Sequence, residues 1–516
     1  MTRLNRCKTA PAQAGALDQH PVPAAGTPEE ASARRWLLVQ GGAVKRMNGL
    51  VVGAERQDGV PTGCDLDAGR LSSLLASLPA VKIIKWLVLR ADSHRRPTEA
   101  AIQAFLAGAA RAIAGCSGLQ TLQLNIVLAD ELADQVPEAL VHELASVRTL
   151  EEVSLRFDAG EADMPDWPAP FSLAHLVAGV TGLPRLRALR LSVDNVSMEA
   201  TLPAGVSCLA RLTSLTLGGF DDLRCEPGWA RLSLLVRLVF EDCVFAHDGE
   251  DALPGLHALA SLTSFGLWNC PSLRVLPASL WRLPQLRDLA HWGELRQLAG
   301  VPRSALPVAG LPLSAPCFGS MLSLTLTGHN LRAFPPGILG MKCLKHLNLS
   351  RCCFERLPEG VSVLTGLEEL RLGRHPMGEL EIGGAFDARV LGSLAGFPRL
   401  NSLGFKSCSV EFATSIQDAA DHPRLQRLQL CTAYPAVGPS SRAFLALVGR
   451  LLEQGRARAL RLCNDAIQGA GQPDGDNFLA ALQVVGFPLH DGDSDDDDIE
   501  SVDDDDFSVM LGGGLG

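Results

Sequence analysis

Along most of this chain, one spacing of apolar residues returns fourteen times: an apolar residue, two others, a second apolar residue, one other and a third. Leu344, Leu347 and Leu349 form one such unit. Its last two apolar residues alternate with polar ones, which predicts a short strand with one buried face. The units begin at Ile84, Leu119, Leu150, Leu186, Leu212, Leu235, Leu262, Leu286, Met321, Leu344, Leu367, Leu400, Leu425 and Ala457.

Consecutive units begin 23 to 36 residues apart, which leaves room for one strand and one return segment in each. A single unit of this kind cannot bury its apolar face alone, so neighbouring units must stack. The pattern therefore predicts an α/β solenoid of about 14 repeats over residues 80–466. It is expected to be a curved horseshoe with a parallel β-sheet on the concave face and helices and tight turns on the convex face.

The return segments are of two kinds. Long early units carry helical patterns, such as Thr98–Ala114 and Val136–Ala145. Compact units carry a Leu-Pro pair followed by a third apolar residue, as in Leu202–Val206, Leu276–Leu280 and Leu357–Val361. Because proline fixes φ and lacks an N–H donor, these segments predict tight turns rather than long helices.

The flanking regions differ from the repeats in composition. Residues 1–26 are expected to be a disordered leader, 27–79 an N-terminal helical cap region, 467–490 a C-terminal cap and 491–516 an acidic disordered tail. Three insertions, 159–181, 293–320 and 373–399, interrupt the spacing and are expected to form loops.

The net charge of −11 resides in the tail. Residues 491–506 contain eleven acidic residues, and subtracting them from the 57 in the chain leaves 46, equal to the number of lysines and arginines. The acidic tail is interpreted either as an internal competitor for a binding face or as a solubilising segment. The rest of the chain is neutral overall, so charge alone does not indicate a polyanionic ligand.

Several of the fourteen cysteines recur at one place in the repeat. If the first apolar residue is position 1, then Cys243, Cys270, Cys352 and Cys408 all stand at position 9. Single, regularly placed cysteines of this kind are expected to be buried thiols rather than disulfide partners, which favours a reduced, intracellular environment. The chain contains no apolar run long enough to span a membrane and no secretory leader pattern.

The segment from Leu262 to Pro277 resembles the repeats of plant-type intracellular leucine-rich-repeat proteins, in which position 9 turns inward and bonds to the backbone. The early helical units resemble ribonuclease-inhibitor-like repeats. The protein is thus identified as a member of the leucine-rich-repeat group, of intracellular plant or algal type with mixed units. The resemblance implies a solenoid that binds proteins, but its families bind unrelated partners.

No motif indicates catalysis. The chain lacks a phosphate-binding loop and a kinase signature, and the adjacent cysteines Cys352 and Cys353 lack the spacing of a metal pair. His329 and His375 occupy position 9, which favours structural hydrogen bonds. We therefore predict no enzyme activity, no catalytic or metal site and no cofactor.

Positions 2, 3, 5, 7 and 8 of each unit are expected to face the concave side. Two tryptophans there fall at position 7 of adjacent units, which predicts a stacked interaction hot spot or, alternatively, packing of the second beneath the 293–320 insertion. The last six units place many cations there, opposed only by Glu368 and Glu369, which predicts an acidic partner, or else merely a solvated surface. The candidate partner-binding residues are Trp268, Trp292, Lys345, Arg351, Arg371, Arg374, Lys406, Arg427 and Arg461.

The sequence therefore favours a non-enzymatic scaffold or adaptor that binds a protein on its concave face. The alternative is a regulator or sensor in intracellular signalling or defence, including a GTPase-regulating or ubiquitin-ligase substrate-recognition role. No nucleic-acid or membrane partner is expected. A cytoplasmic location is favoured, with an axonemal cytoskeletal or organelle location as alternatives, and the pattern does not indicate an oligomeric state.

Overall fold

The structure, a computed structural model, describes residues 50–51, 82–90, 99–116, 118–127, 143–158, 172–194, 200–248, 251–273, 276–292, 311–327, 331, 334–350, 352, 358–373, 396–406, 422–431, 449–450, 453–454 and 460–462. The leader, the C-terminal cap and the acidic tail expected from the sequence lie outside these residues. So does most of the predicted helix over 136–145.

One parallel sheet runs through the described part of the chain and contains fifteen strands there. These are β1 (Leu50–Val51), β2 (Ile83–Arg90), β3 (Thr121–Val127), β4 (Glu152–Asp158), β5 (Ala188–Asp194), β7 (Ser214–Gly218), β9 (Arg237–Glu241), β10 (Ser264–Trp268), β11 (Asp288–Trp292), β12 (Ser323–Thr327), β13 (His346–Leu349), β14 (Glu369–Gly373), β15 (Ser402–Lys406), β16 (Arg427–Cys431) and β17 (Leu460–Leu462). They pair in chain order, apart from β6 (Thr201–Leu202) and β8 (Arg224–Cys225), which form a separate two-stranded sheet.

The leucine spacing produces this sheet because the register places equivalent residues side by side. Leu215 pairs with Leu238, and Leu217 pairs with Phe240. All four of these side chains are fully buried. Stacking at the same depth in successive strands gives a continuous apolar core, and each such side chain stabilises the fold by roughly 2 kcal/mol through its burial.

The return segments confirm the two predicted kinds. A helix, α1, covers Glu99–Ala114, while the three Leu-Pro segments lead into short 3-10 helices at Ala204–Cys208, Ala278–Arg282 and Glu359–Val363. Packed helices lie about 8–10 Å apart, whereas parallel strands lie about 4.8 Å apart. The bulkier return side therefore takes the outer, convex position and the sheet takes the concave one.

Three elements were not expected from the sequence. Strand β1 pairs with β2 at Leu50 and Ile84, in a stretch without a repeat pattern. The β6–β8 pair adds a second, short sheet before two of the 3-10 segments. Helix α2 (Leu173–Val180) begins inside the predicted insertion 159–181, where the Ser172 hydroxyl accepts from the Ala174 N–H at 3.2 Å. Elements of two residues carry too little periodicity to be recognised, and α2 replaces a loop because its apolar residues complete the core.

The cysteines at position 9 point inward and bond to the backbone, as predicted. The Cys243 thiol donates to the Leu217 carbonyl at 3.4 Å, and the Cys352 thiol donates to the Leu326 carbonyl at 3.1 Å. Cys270 is bonded in the same way to Phe240. Burial is the largest cause that raises the pKa of Cys270, to about 12. Cys243 and Cys270 therefore remain protonated, and all three thiols bond to the backbone at the turn that follows their strand. Cys408 lies outside the described residues.

Candidate protein-binding face

The concave face of the sheet consists of the strand residues that alternate with the buried leucines. In β10 these are Ser264, Gly266 and Trp268, and in β11 they include Asp288 and Trp292. This face is the open side of the sheet, because the apolar core fills the opposite side in the described repeats. Its chemistry changes along the solenoid, from ion pairs through a tryptophan pair to a second charged group.

The tryptophan pair, Trp268 and Trp292, lies at the centre of the described sheet. The two residues are directly opposite in the register of β10 and β11, and both side chains are half-buried. Their ring centroids lie 5.3 Å apart with the planes at 63°. The predicted contact is therefore present, but it is edge-to-face rather than stacked. Residues 293–310, which include most of the insertion proposed to cover Trp292, lie outside the described residues.

Residues at the ends of the neighbouring strands hydrogen-bond to the backbone of the tryptophan pair. The Asp242 N–H donates to the Trp268 carbonyl and the Asn269 N–H donates to the Trp292 carbonyl, both at 2.8 Å. Asp242 and Asn269 hold φ values of 50° and 48°, and the Asn269 amide donates to the Asp242 carboxylate at 2.6 Å. Short polar side chains tolerate this left-handed conformation. The repeat thus fixes the backbone positions from which both indoles extend.

A floor of small residues lies beside the tryptophan pair. This small-residue floor consists of Ser264, Gly266 and Ala290, which are buried although they stand on the concave side. A Cβ added to Gly266 would lie 3.0 Å from the Trp268 Nε1 atom, so the indole lies back along its own strand over the glycine. The tryptophan pair is therefore packed against the sheet on one side and half-exposed on the other.

The cations predicted near the C-terminal end are partly neutralised by carboxylates of the same face. Lys345 Nζ lies 3.0 Å from Glu368 Oε1, and Arg371 Nε donates to Glu369 Oε1 at 2.7 Å. His346 Nδ1 lies 3.2 Å from the other oxygen of Glu369. The two carboxylates that the sequence placed among these cations are therefore directly paired with Lys345 and Arg371, and the net positive charge of this region is reduced.

The structure describes the remaining candidate cations to different extents. Arg427 is exposed at the start of β16. Lys406 ends β15 opposite Cys431, and Arg461 lies opposite Gln429 in β17, so their backbones are on the sheet, while their side chains are outside the described set. Arg351 and Arg374 also lie outside the described residues. The structure therefore places the tryptophan pair together. Of the predicted cations, it describes the side chains of Lys345 and Arg371, which pair with carboxylates, and of Arg427, which is exposed.

Glu369 is the most strongly stabilised carboxylate of this group. Desolvation by itself would raise its pKa, but hydrogen bonds and charges from His346 and Arg371 outweigh it and lower the pKa to about 2. A carboxyl group with a lowered pKa stabilises the fold when it is ionised. This contribution is complete above the ordinary pKa of 4.5 and is lost as the pH falls from there to about 2.

The substitution Glu369→Gln is therefore expected to lower the free energy of unfolding by about 2 kcal/mol at pH 7. Urea midpoints of both proteins between pH 7 and pH 2 measure this, and the difference should shrink below pH 4.5. A difference that stays constant in this range contradicts the assignment. The control is Glu368→Gln, whose more exposed pair with Lys345 is expected to contribute less than about 1 kcal/mol.

At the other end of the concave face, ion pairs connect non-adjacent parts of the chain. Arg156 pairs with Asp194, and Arg190 pairs with Glu241 two strands away. The second pair crosses β7 at Gly218, where an added Cβ would lie 3.6 Å from the Glu241 carboxylate. The spacing of the leucines within one unit does not indicate these pairs, because the opposite charges come together only when neighbouring strands are aligned.

The described part of the chain contains no candidate metal site. No group of three histidine, cysteine, aspartate or glutamate side chains there could hold a metal ion. Of the described helices, none is both long enough and apolar enough to cross a bilayer. The geometry of the concave face, with packed and half-exposed aromatic residues between charged groups, is typical of a protein-binding surface.

These features define the class of the protein. Parallel strands recur every 23 to 36 residues outside a leucine core, and helices or short 3-10 segments lie in the return segments that the structure describes. Together they form an α/β leucine-rich-repeat solenoid. No protein-family model matches the chain, and no curated protein matches it.

The solved structures that match the chain include the following three. An internalin (inlF) from Listeria monocytogenes str. 4b F2365 has 14% sequence identity and a TM-score of 0.35, over 64% of this chain and 87% of the other. A leucine-rich-repeat protein of Leptospira interrogans has 15% identity and a TM-score of 0.24, over 68% and 91%. TLR13, in a complex with ssRNA13, has 14% identity and a TM-score of 0.42, over 75% and 54%. At these identities the likeness concerns the fold alone.

Proposed function

We propose that the protein is a non-enzymatic scaffold or adaptor that holds a protein partner on its concave face. The tryptophan pair carries this proposal: two half-buried indoles lie in edge-to-face contact at register-paired positions, and the neighbouring strand ends fix their backbones. Tryptophan is enriched among the residues that dominate binding energy, above all where the free protein already holds it in place.

The finer features of the proposal have separate support. The Leu-Pro returns favour the plant or algal intracellular repeat type. Among the described residues, Cys116, Cys225, Cys243, Cys270 and Cys317 are buried thiols outside any disulfide, which supports a reduced compartment such as the cytoplasm. The exposed Arg427 supports an acidic contact at the C-terminal end. A regulatory or sensor role in signalling or defence would use the same face, so identifying the partner distinguishes it from a passive scaffold.

The double substitution Trp268→Ala and Trp292→Ala is expected to weaken partner binding at least about 30-fold, because each indole supplies contact energy on the order of 2 kcal/mol. Affinity capture from host extract with quantitative mass spectrometry identifies proteins retained by the wild type and lost with the double variant. Titration of the purified partner then gives both dissociation constants.

Two further variants make this test specific. Leu313→Ala removes a side chain that is 75% exposed, outside the sheet, and is expected to leave binding unchanged. Trp268→Phe with Trp292→Phe keeps aromatic surface and should recover part of the affinity. Equal binding of the partner by the wild type and the alanine double variant would refute the tryptophan pair as the anchor.

A further inference from the structure

One row of the concave face contains a carboxylate, Asp288, that is not part of any ion pair described above. At position 3 of five consecutive strands the register aligns Arg237, Ser264, Asp288, Ser323 and His346. Asp288 thus has a serine on each side, and the charged residues of the row lie two strands away, at about 10 Å. It is located in the middle of the face, on the same strand as Trp292.

Asp288 differs from Glu369, the other acidic residue at position 3 nearby. Glu369 is held by His346 and Arg371, whereas no described side chain lies within ion-pairing or hydrogen-bonding distance of the Asp288 carboxylate. Desolvation raises the pKa of Asp288, and the more distant His346, Arg287 and Arg237 oppose this only in part. A half-buried carboxylate with a raised pKa destabilises the fold when it is ionised, so the charge needs an explanation other than stability.

Only small, buried residues lie between Asp288 and the tryptophan pair on the concave face. Ala290 stands between Asp288 and Trp292 on β11 and is 1% exposed, and Ser264 and Gly266 lie beside it on β10. Side chains two residues apart on a strand are about 6.6 Å apart, so Asp288 and Trp292 are separated by roughly 13 Å, less where an indole leans toward it. The small-residue floor therefore forms a shallow channel with a carboxylate at one end and aromatic rings at the other.

We propose that this channel binds an extended segment of the protein partner, with a lysine or arginine of that segment at Asp288 and an apolar side chain on the tryptophan pair. This proposal rests on the proposed function and specifies the partner's chemistry at the centre of the face. An extended chain advances about 3.3 Å per residue, so the two side chains are expected two to four residues apart.

Charge complementarity supports a cationic side chain rather than other ligands. An incoming ammonium or guanidinium group would supply the partner that the Asp288 carboxylate lacks within the described fold. Residues 491–506 of this chain are strongly acidic, and Asp288 would repel them. A bound metal ion is not supported, because no third ligand of a suitable type is near in the described part of the chain.

A phage-displayed library of random dodecapeptides provides the test, with the full-length wild type, Asp288→Asn and the double tryptophan-to-alanine variant as baits. The matched control is Asp251→Asn, which removes an equal charge from an exposed residue outside the sheet. The wild type and the control are expected to enrich peptides with a basic residue two to four positions from a large apolar one. With Asp288→Asn, the basic preference should fall to the library level while the apolar preference persists.

The leading peptide, titrated against purified proteins, is expected to bind Asp288→Asn at least tenfold more weakly than the wild type. An unchanged basic preference with Asp288→Asn, selection of acidic peptides, or no enriched sequence at all would overturn the inference and leave a scaffold with another partner chemistry. Enrichment of the same peptides by the double tryptophan variant would instead overturn the proposed anchor. Circular dichroism of each bait establishes that it is folded.

Discussion

Replacing Gly219 by alanine is expected to lower the free energy of unfolding by about 4 kcal/mol or more, so that little folded protein is recovered. Gly219 has a φ of +73°, and an added Cβ would lie 1.6 Å from the Val193 carbonyl oxygen. The colliding atom belongs to the backbone of the previous repeat, so no side-chain rotation can relieve the contact. The Gly219 N–H also donates to the Glu241 carbonyl at 2.8 Å, and any shift would break this bond.

Urea unfolding followed by circular dichroism measures the effect, or the soluble yield does if the variant does not accumulate. The control is Gly205→Ala, in the 3-10 segment Ala204–Cys208, where an added Cβ would meet no atom within 4 Å. That substitution is expected to be neutral or slightly stabilising, because it reduces the freedom of the unfolded chain. Similar stabilities of the two alanine variants would show that the left-handed turn after β7 is not required.

The residues that follow the other strands explain why Gly219 is exceptional. Asp242 and Asn269 occupy the equivalent position of the next two units with φ values near 50°, and their N–H groups donate to the strand ahead in the same way. Non-glycine residues are therefore accepted at this turn where the preceding repeat leaves space for a Cβ. At Gly219 the Val193 backbone occupies that space, which a local sequence pattern does not reveal.

The sheet itself could be predicted because its cause is local. Burial at every second residue distinguishes strand residues such as Leu215 and Leu217 from their neighbours, and the recurrence of this pattern requires stacking. The proline returns and the inward position of Cys243 and Cys270 follow from the same alignment of units. Each of these features depends on one repeat and its immediate neighbour.

The arrangement of charges on the concave face could be predicted only in part. The sequence placed Glu368 and Glu369 among the cations of the last units, but it did not show which cation each carboxylate would bind. Side-chain conformation decides this, since Lys345 reaches Glu368 of the adjacent repeat and Arg371 reaches Glu369 along its own strand. It also missed Asp288, whose significance depends on having serines, rather than cations, beside it in the register. The row that contains Asp288 becomes visible only when position 3 is aligned across several units.

The second substitution that is expected to lower the free energy of unfolding strongly is at Trp229. Its indole is fully buried in the 3-10 segment Pro227–Arg231, and its Nε1 donates to the Pro254 carbonyl at 3.0 Å, which connects two return segments on the convex side. Substitution by alanine is expected to cost about 4 kcal/mol, through the lost burial, the cavity and the unsatisfied carbonyl. Urea midpoints measured by far-ultraviolet circular dichroism give the loss.

Substitution by phenylalanine separates the hydrogen bond from the packing. Trp281 is also buried and packs edge-to-face on Phe318, with ring centroids 6.1 Å apart, but its Nε1 has no hydrogen-bond acceptor among the described residues. Trp229→Phe removes ring volume and a hydrogen bond, whereas Trp281→Phe removes ring volume and an unpaired N–H. Trp229→Phe is therefore expected to be the more destabilising by about 1–2 kcal/mol. Equal losses would show that packing alone connects the return segments, and a larger loss at Trp281 would contradict the hydrogen-bond assignment.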